Sequence, residues 1–245
     1  TLFTTLLTGS MYLLLRAMYL DRRASHFAGS GALFGLAFLT RPVALPVCLL
    51  SVVPIWLHCG KIKAFVRWGI VLAAFAIVVL PWFVRNVVAF GDYTPLSTDR
   101  GYNLWYASTS AGESKWFGSS EFREAVGDGY YIDRKADERF TKTALAHIQS
   151  DPLGHLRRGL SRLVWTWSYF PGSQLYRNHT LFYGLFSLVQ FMILILAILG
   201  LRQLDRTQIG YFLLPAVGLS CDLVFTKAIS RFIVSAMPFV AVLSG

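Results

Sequence analysis

Three arginines stand within or at the edge of apolar runs. They are Arg41 before Pro42, Arg85 before Asn86, and Arg231 before Phe232. A guanidinium in hydrocarbon costs about 3 kcal/mol or more, so such residues usually face a wet cavity and mark a functional site. Arginine binds phosphate oxygens through paired, charged hydrogen bonds. The pattern therefore predicts an anion site, and a lipid-linked phosphate is the anion that suits a membrane boundary.

Other polar residues are expected near these arginines. Lys227 would add a point charge for the phosphate, while Asn86 and Asp222 would shape a pocket for a sugar. Each has a simpler interpretation. Arg85 and Arg231 can extend their side chains to the lipid–water interface, and Asp222 can pair with Lys227 or Arg231. Arg41 has the strongest functional case, because a turn between two helices needs no cation.

No metal or cofactor site is predicted. His147 and His155 have no partner at metal-ligand or catalytic-triad spacing, so we expect both on the surface. The three cysteines lie in or beside apolar runs without metal spacing and are expected to be buried hydrophobic residues.

The composition predicts a membrane protein. Of 245 residues, 55% are hydrophobic and 15% are charged, whereas soluble domains carry about 25% charged residues. The net charge of +10 does not form a basic stripe, because the basic residues flank apolar runs or lie in one mixed-charge loop. We therefore expect no nucleic-acid partner.

The apolar runs predict an all-α, polytopic transmembrane helix bundle with one extracytoplasmic, mostly helical loop domain. Residues 1–88 would hold transmembrane helices, with a short hairpin at 27–57 whose tip is Arg41-Pro42. Residues 89–180 would form the outer loop, and residues 181–245 further helices that are cut short. The hairpin places the following cations on one side, as the positive-inside rule requires: Arg22, Arg23, Lys61, Lys63, Arg67, Arg202 and Arg206.

The outer loop predicts two amphipathic helices, at 131–150 and 153–167. The second either lies along the membrane surface or packs inside the loop domain. Tyr102, Trp105 and Tyr106 could stack on sugar faces or form an interfacial aromatic belt. The glycine-rich stretch at 112–129 predicts a mobile flap.

Several short motifs occur together in this chain. They are GLAFLTRPVALP around Arg41, Pro81-Trp82 with Arg85-Asn86, Phe90-Gly91, Gly101-Tyr102-Asn103-Leu104, and Arg231-Phe232 followed by Pro238. In the same order they resemble the C-type integral-membrane glycosyltransferases that use polyprenyl-phosphate sugars. This group includes the dolichyl-phosphate-mannose–protein mannosyltransferases and the lipid A sugar transferases.

The resemblance implies a sugar transfer from a polyprenyl-phosphate donor to a lipid, glycan or protein acceptor, on the outer face of the bacterial inner membrane. Arg41, Arg85, Arg231 and Lys227 would bind the donor phosphate, and Asn103 would join the sugar pocket. The acidic general base is expected in an outer loop before residue 1, so no catalytic residue is predicted here. We thus expect the carboxy-terminal part of a longer enzyme. The chain departs from the family where Trp105-Tyr106 replaces the usual glycine-asparagine pair.

Two alternatives share these features. An O-antigen ligase or polymerase is also a multi-helix enzyme with a large outer loop. A lipid-linked sugar flippase or transporter would show repeated halves and broken helices at the midplane, and no internal repeat is visible.

Overall fold

The computed structural model describes residues 2–90, 100–109, 119–127, 132–168, 180–225, 236, 239, 240 and 242. For residues 90, 165, 166, 168, 180–187, 190 and 222–225 it describes the backbone alone. Every regular element in these ranges is an α-helix, so the predicted all-α class is confirmed.

Eleven helices make up the described parts of the chain. They are α1 Leu2–Tyr19, α2 Ala24–Thr40, α3 Ala44–Leu50, α4 Val52–Cys59, α5 Lys61–Phe90, α6 Arg100–Ser108, α7 Ser120–Val126, α8 Arg134–Ser150, α9 Pro152–Ser168, α10 Thr180–Leu201 and α11 Arg206–Phe225.

Small residues hold α2 closely between α1 and α5. Ser30 Oγ on α2 donates a hydrogen bond of 2.8 Å to the carbonyl oxygen of Ser10 on α1. On the opposite face, Gly31 and Gly35 lie against the backbone of α5, beside Val71 and Val78. Glycine permits this approach because a Cβ atom would meet the neighbouring helix.

The chain reverses after α2. This helix ends at Thr40, and Arg41 has extended backbone, with φ −153° and ψ 122°. The amide of Ala44 then donates to the Arg41 carbonyl oxygen at 3.2 Å, which closes the turn. The returning limb is two short helices separated at Ser51, whose hydroxyl donates to the Cys48 carbonyl oxygen at 2.6 Å. Because α3 and α4 return together, α5 runs parallel to α2.

Three connections meet at one end of the bundle. The rings of Tyr19 and His58, at the ends of α1 and α4, have centroids 4.8 Å apart. Tyr19 also shares a side-chain hydrogen bond with Thr207 at the start of α11. The basic residues of these connections, Arg22, Arg23, Lys61, Lys63, Arg67, Arg202 and Arg206, therefore gather at one end.

Helices α6, α7 and α8 pack around a second, aromatic core, and we call these three helices the outer unit. Its centre is Trp105, Tyr102 and Phe140, with the Trp105 and Phe140 ring centroids 4.9 Å apart. Burial raises the pKa of Tyr102 to about 12, so its hydroxyl stays protonated. Tyr102 and Trp105 are thus core residues, and their predicted exposure as sugar platforms or an interfacial belt is wrong.

Caps define the short helices of the outer unit. The Ser119 hydroxyl accepts a hydrogen bond from the Phe122 amide at 3.1 Å, and Gly127, with φ 65°, ends α7. The Asp133 carboxylate accepts from the Ala136 amide at 2.7 Å and begins α8. The flap predicted at 112–129 therefore contains a helix, and its remaining residues lie outside the described ranges, apart from Ser119 and Gly127.

One helix of the described chain is long and apolar enough to cross a membrane. Residues 61–89 of α5 have a mean hydropathy of 2.2 over their most apolar window, of which only 11% is buried. The helix continues through Pro81. A long apolar helix that other protein elements leave uncovered is unusual for a water-soluble core.

Candidate functional site

Arg85 and Asn86 lie together near the carboxyl end of α5. A guanidinium nitrogen of Arg85 donates a hydrogen bond of 2.9 Å to Asn86 Oδ1. The guanidinium carbon also lies 5.1 Å from the ring centroid of Trp82, one turn earlier on the same helix. Arg85 is exposed, whereas Asn86 is only 3% exposed. The buried amide and the indole ring thus orient an accessible cation.

An apolar groove of about 700 Å³ runs along this end of α5. It is lined by Ile77, Leu80, Pro81, Val84, Arg85, Val88 and Ala89. Spacings of three and four residues place these side chains on one helix face. Arg85 is the single charged residue among the described lining residues. The groove surface itself is almost wholly apolar, so it suits a hydrocarbon tail.

Arg41 lies at the same end of the bundle. Across the contact between the parallel helices α2 and α5, Gly35 faces Phe75 and Val78. Continuing along both helices, Arg41 comes level with positions 81–84, the turn that precedes Arg85. Its guanidinium carbon lies 5.6 Å from the ring centroid of Phe3 at the start of α1. Arg41 and Arg85 are thus remote from the basic connections at the other end.

The other predicted site residues are Asn103, Asp222, Lys227 and Arg231. Asn103 lies half-buried on α6, within the outer unit. For Asp222 the structure describes only the backbone, in the last turn of α11. Lys227 and Arg231 lie outside the described residues. The structure thus joins Arg85 to Asn86 and brings Arg41 to the same end.

The two histidines expected on the surface are both engaged in the structure. His155 on α9 is only 4% exposed. Burial lowers the pKa of its imidazole, the positive charges of Arg162 and Arg158 lower it further, and Asp151 partly opposes them. The half-buried His147 lies 3.2 Å from Ser108 Oγ through Nδ1 and 3.4 Å from Glu121 Oε1 through Nε2. The surface prediction is therefore wrong for His155, whereas His147 is partly exposed.

A second, polar cleft opens beside His147, with a volume of about 380 Å³. Its lining comes from four helices and their connections: Trp105, Ser108, Thr109, Ser119, Ser120, Glu121, His147, Ser150, Asp151 and Arg158. Ser108, Glu121 and His147 are far apart in the chain, so no local sequence motif indicates that they meet. Within the described residues, no three His, Cys, Asp or Glu side chains are grouped to hold a metal ion.

Neither a family model, nor a curated protein, nor a solved structure matches this chain. A functional assignment therefore depends on the residues and contacts described above.

Proposed function

We propose that this chain is part of a multi-pass membrane glycosyltransferase, which moves a sugar from a polyprenyl-phosphate donor to a lipid, glycan or protein acceptor. The observation that carries the proposal is the apolar groove of α5, in which Arg85 is the one charged residue of the described lining. A polyprenyl chain would lie along the apolar wall, and its phosphate would meet the guanidinium that Asn86 and Trp82 orient.

Membrane embedding is supported by the outer faces of the helices. Large apolar side chains of α5 are exposed along its length, among them Ile62, Phe65, Ile77 and Val88. The burial of such a surface in lipid would be favourable, at about 25 cal/mol per Å² of apolar area. Segregation of basic residues at the opposite end agrees with the positive-inside rule and supports a cytoplasmic location for that end. The Arg85 end would then be extracytoplasmic.

Helix α9 fits the membrane boundary. Arg158 and Arg162 point toward α6 and bind the carbonyl oxygens of Ser108 and Ala107, at 3.3 and 2.8 Å. The helix leaves a stripe exposed at helical spacing, composed of Leu153, Leu156, Leu160 and Val164. Near its other end, Trp167 Nε1 donates to Ser220 Oγ on α11 at 2.9 Å. Of the two interpretations of its sequence, we favour a helix that lies in the interface.

The transfer would proceed by displacement at the anomeric carbon. An acceptor oxygen forms a bond to this carbon as the bond to the phosphate oxygen breaks, and the electron pair leaves with polyprenyl phosphate. The acceptor proton passes to a general base. Arg85, assisted by Arg41, would stabilise the charge that develops on the leaving phosphate.

The test is turnover of the full-length protein in liposomes, measured as release of polyprenyl phosphate. Loss of one charged hydrogen bond costs about 1.5–3 kcal/mol, so Arg85→Ala and Arg41→Ala should each slow transfer by roughly 10- to 100-fold. Arg67→Ala is the matched control, because Arg67 lies on the same helix, 5.5 Å from the Phe27 ring centroid, at the opposite end. Unchanged turnover in both test variants would remove the assignment.

Topology needs a separate measurement. A cysteine introduced at position 41 should react with a membrane-impermeant thiol reagent added outside spheroplasts, and one at position 63 should react only after permeabilisation. Labelling of position 41 from the cytosolic side would contradict the proposal, whatever the activity of the enzyme.

A further inference from the structure

The cleft beside His147 has walls that are fixed before any ligand arrives. Trp105 Nε1 donates a hydrogen bond of 2.9 Å to Glu121 Oε2, while the other oxygen of this carboxylate faces His147. Arg158 spans the rim, bound to the Asp151 carboxylate at 3.1 Å and to the Ser108 carbonyl oxygen at 3.3 Å. Side chains held in this way lose little freedom on binding, which favours affinity.

The hydroxyl groups of the cleft present acceptors. Thr109 Oγ1 and Ser150 Oγ each donate to the carbonyl oxygen three residues earlier, at 3.1 and 2.9 Å. A hydroxyl whose proton is engaged keeps lone pairs for another donor. With the carboxylates of Glu121 and Asp151, the lining is therefore rich in acceptors.

This lining selects the chemistry of the ligand. Among the described lining residues, the Arg158 guanidinium is already bound to the Asp151 carboxylate and to the Ser108 carbonyl oxygen, so a phosphate or carboxylate ligand is disfavoured. Each carboxylate already has a guanidinium, imidazole or indole partner that offsets its charge, which disfavours an added ammonium ion, while its remaining lone pairs can still accept from neutral hydroxyl groups. Neutral hydroxyl donors complement such a surface. The cleft volume also falls in the range of small-ligand sites, about 300–1,000 Å³.

The Ser108–His147–Glu121 contact does not form a nucleophilic triad. The Ser108 proton is directed at the Trp105 carbonyl oxygen, and Ser108 is only 3% exposed. It is also the last residue of α6, where carbonyl groups point outward. An acyl-transfer site needs N–H donors for an oxyanion, and this end of the helix presents carbonyl oxygens instead. The contact among Ser108, His147 and Glu121 therefore supports a role of the cleft in ligand binding and not in nucleophilic catalysis.

We propose that the cleft between α6, α7 and α8 is a binding site for a neutral sugar ring, with Glu121 as its central acceptor. The site is separate from the Arg85 groove. The assignment of this sugar to the acceptor substrate rests on the proposed transfer reaction, whereas sugar binding itself does not.

The test is saturation-transfer NMR on the full-length protein in nanodiscs, with the methyl glycosides of glucose, mannose and galactose as probes. We expect saturation transfer to at least one glycoside, with no competition from inorganic phosphate. Glu121→Gln should weaken that binding by about tenfold or more, the size of one charged hydrogen bond. Glu124→Gln is the matched control, because Glu124 is exposed on the same helix and does not line the cleft.

Thr109→Val, which removes a hydroxyl at nearly constant volume, provides a second variant if Glu121→Gln fails to fold. Absence of transfer to all three glycosides, displacement by phosphate, or equal binding by Glu121→Gln and Glu124→Gln would each overturn the proposal. Arg85→Ala separates the two assignments. This variant should lose transfer and keep glycoside binding. In the wild-type protein, glycoside binding without transferase activity would reject the transfer reaction alone, and transfer without glycoside binding would reject the cleft alone.

Discussion

The contact between α2 and α5 predicts a large effect from a single methyl group. A Cβ atom added at Gly31 would lie 2.8 Å from the carbonyl carbon of Val71 and closer still to its oxygen. Because these are backbone atoms, the two helices must separate by roughly 1 Å to restore normal contact. Overpacking costs about 1–3 kcal/mol, and a rigid neighbour places Gly31→Ala near the upper limit. At about 2–4 °C per kcal/mol, the midpoint temperature of thermal unfolding should fall by about 6–12 °C.

The matched control is Gly69→Ala on α5, where an added Cβ meets nothing within 4 Å. This change should raise the midpoint by about 2 °C, because alanine favours the helix by about 0.5–1 kcal/mol. Unfolding can be followed by the reaction of the wholly buried Cys48 with a thiol-reactive fluorophore. Cys59 and Cys221 are replaced by serine in all variants. A midpoint for Gly31→Ala as high as that for Gly69→Ala would refute the proposed helix contact.

Three further predictions concern α9. Arg162→Met removes the bond to the Ala107 carbonyl oxygen and should cost about 1.5–3 kcal/mol, seen as faster amide exchange in α6 and α9, while Arg157→Met on the exposed side should change little. Burial lowers the pKa of His155, so its imidazole takes up a proton at a higher pH in unfolded α9 than in the folded helix. The stability that His155 contributes to α9 is therefore fully present above about pH 6.5 and is lost as the pH falls toward the lowered pKa. Exchange in α9 should accelerate between about pH 7.5 and 5.5, after correction for intrinsic rates, and His155→Phe should abolish this dependence. Oxygen should accelerate the relaxation of a spin label at Leu156, and a water-soluble nickel complex should accelerate that of a label at Arg157. Equal exposure of both labels to nickel would contradict the interfacial placement.

Local sequence signals account for most of the helices. Pro42 disfavours helix at the residue before it, and α2 does end at Thr40. Apolar periodicity places α8 and α9 correctly, although α8 begins at Arg134, after the Asp133 cap, instead of residue 131. The seven-residue helix α7 was missed because glycines surround it. Ser119 and Gly127, as its two caps, were the available signal.

The sites were harder to predict because they depend on contacts between distant segments. Arg85 and Asn86 are neighbours in the chain, so their pairing follows from the sequence. Nothing local indicates that Glu121 and His147 face each other, or that α6 buries Tyr102 and Trp105 against Phe140. Tertiary packing determines these positions, and the pattern of polar residues along the chain does not indicate that packing.

The aromatic core of the outer unit shares no residue with the main bundle core in the described parts of the chain. Its integrity therefore depends on its own interior, around Trp105 and Phe140. Mutations can then accumulate around the polar cleft without disturbing insertion of the neighbouring helices. Under the proposed transfer reaction, such a division would let a lineage change its acceptor while keeping the same lipid carrier.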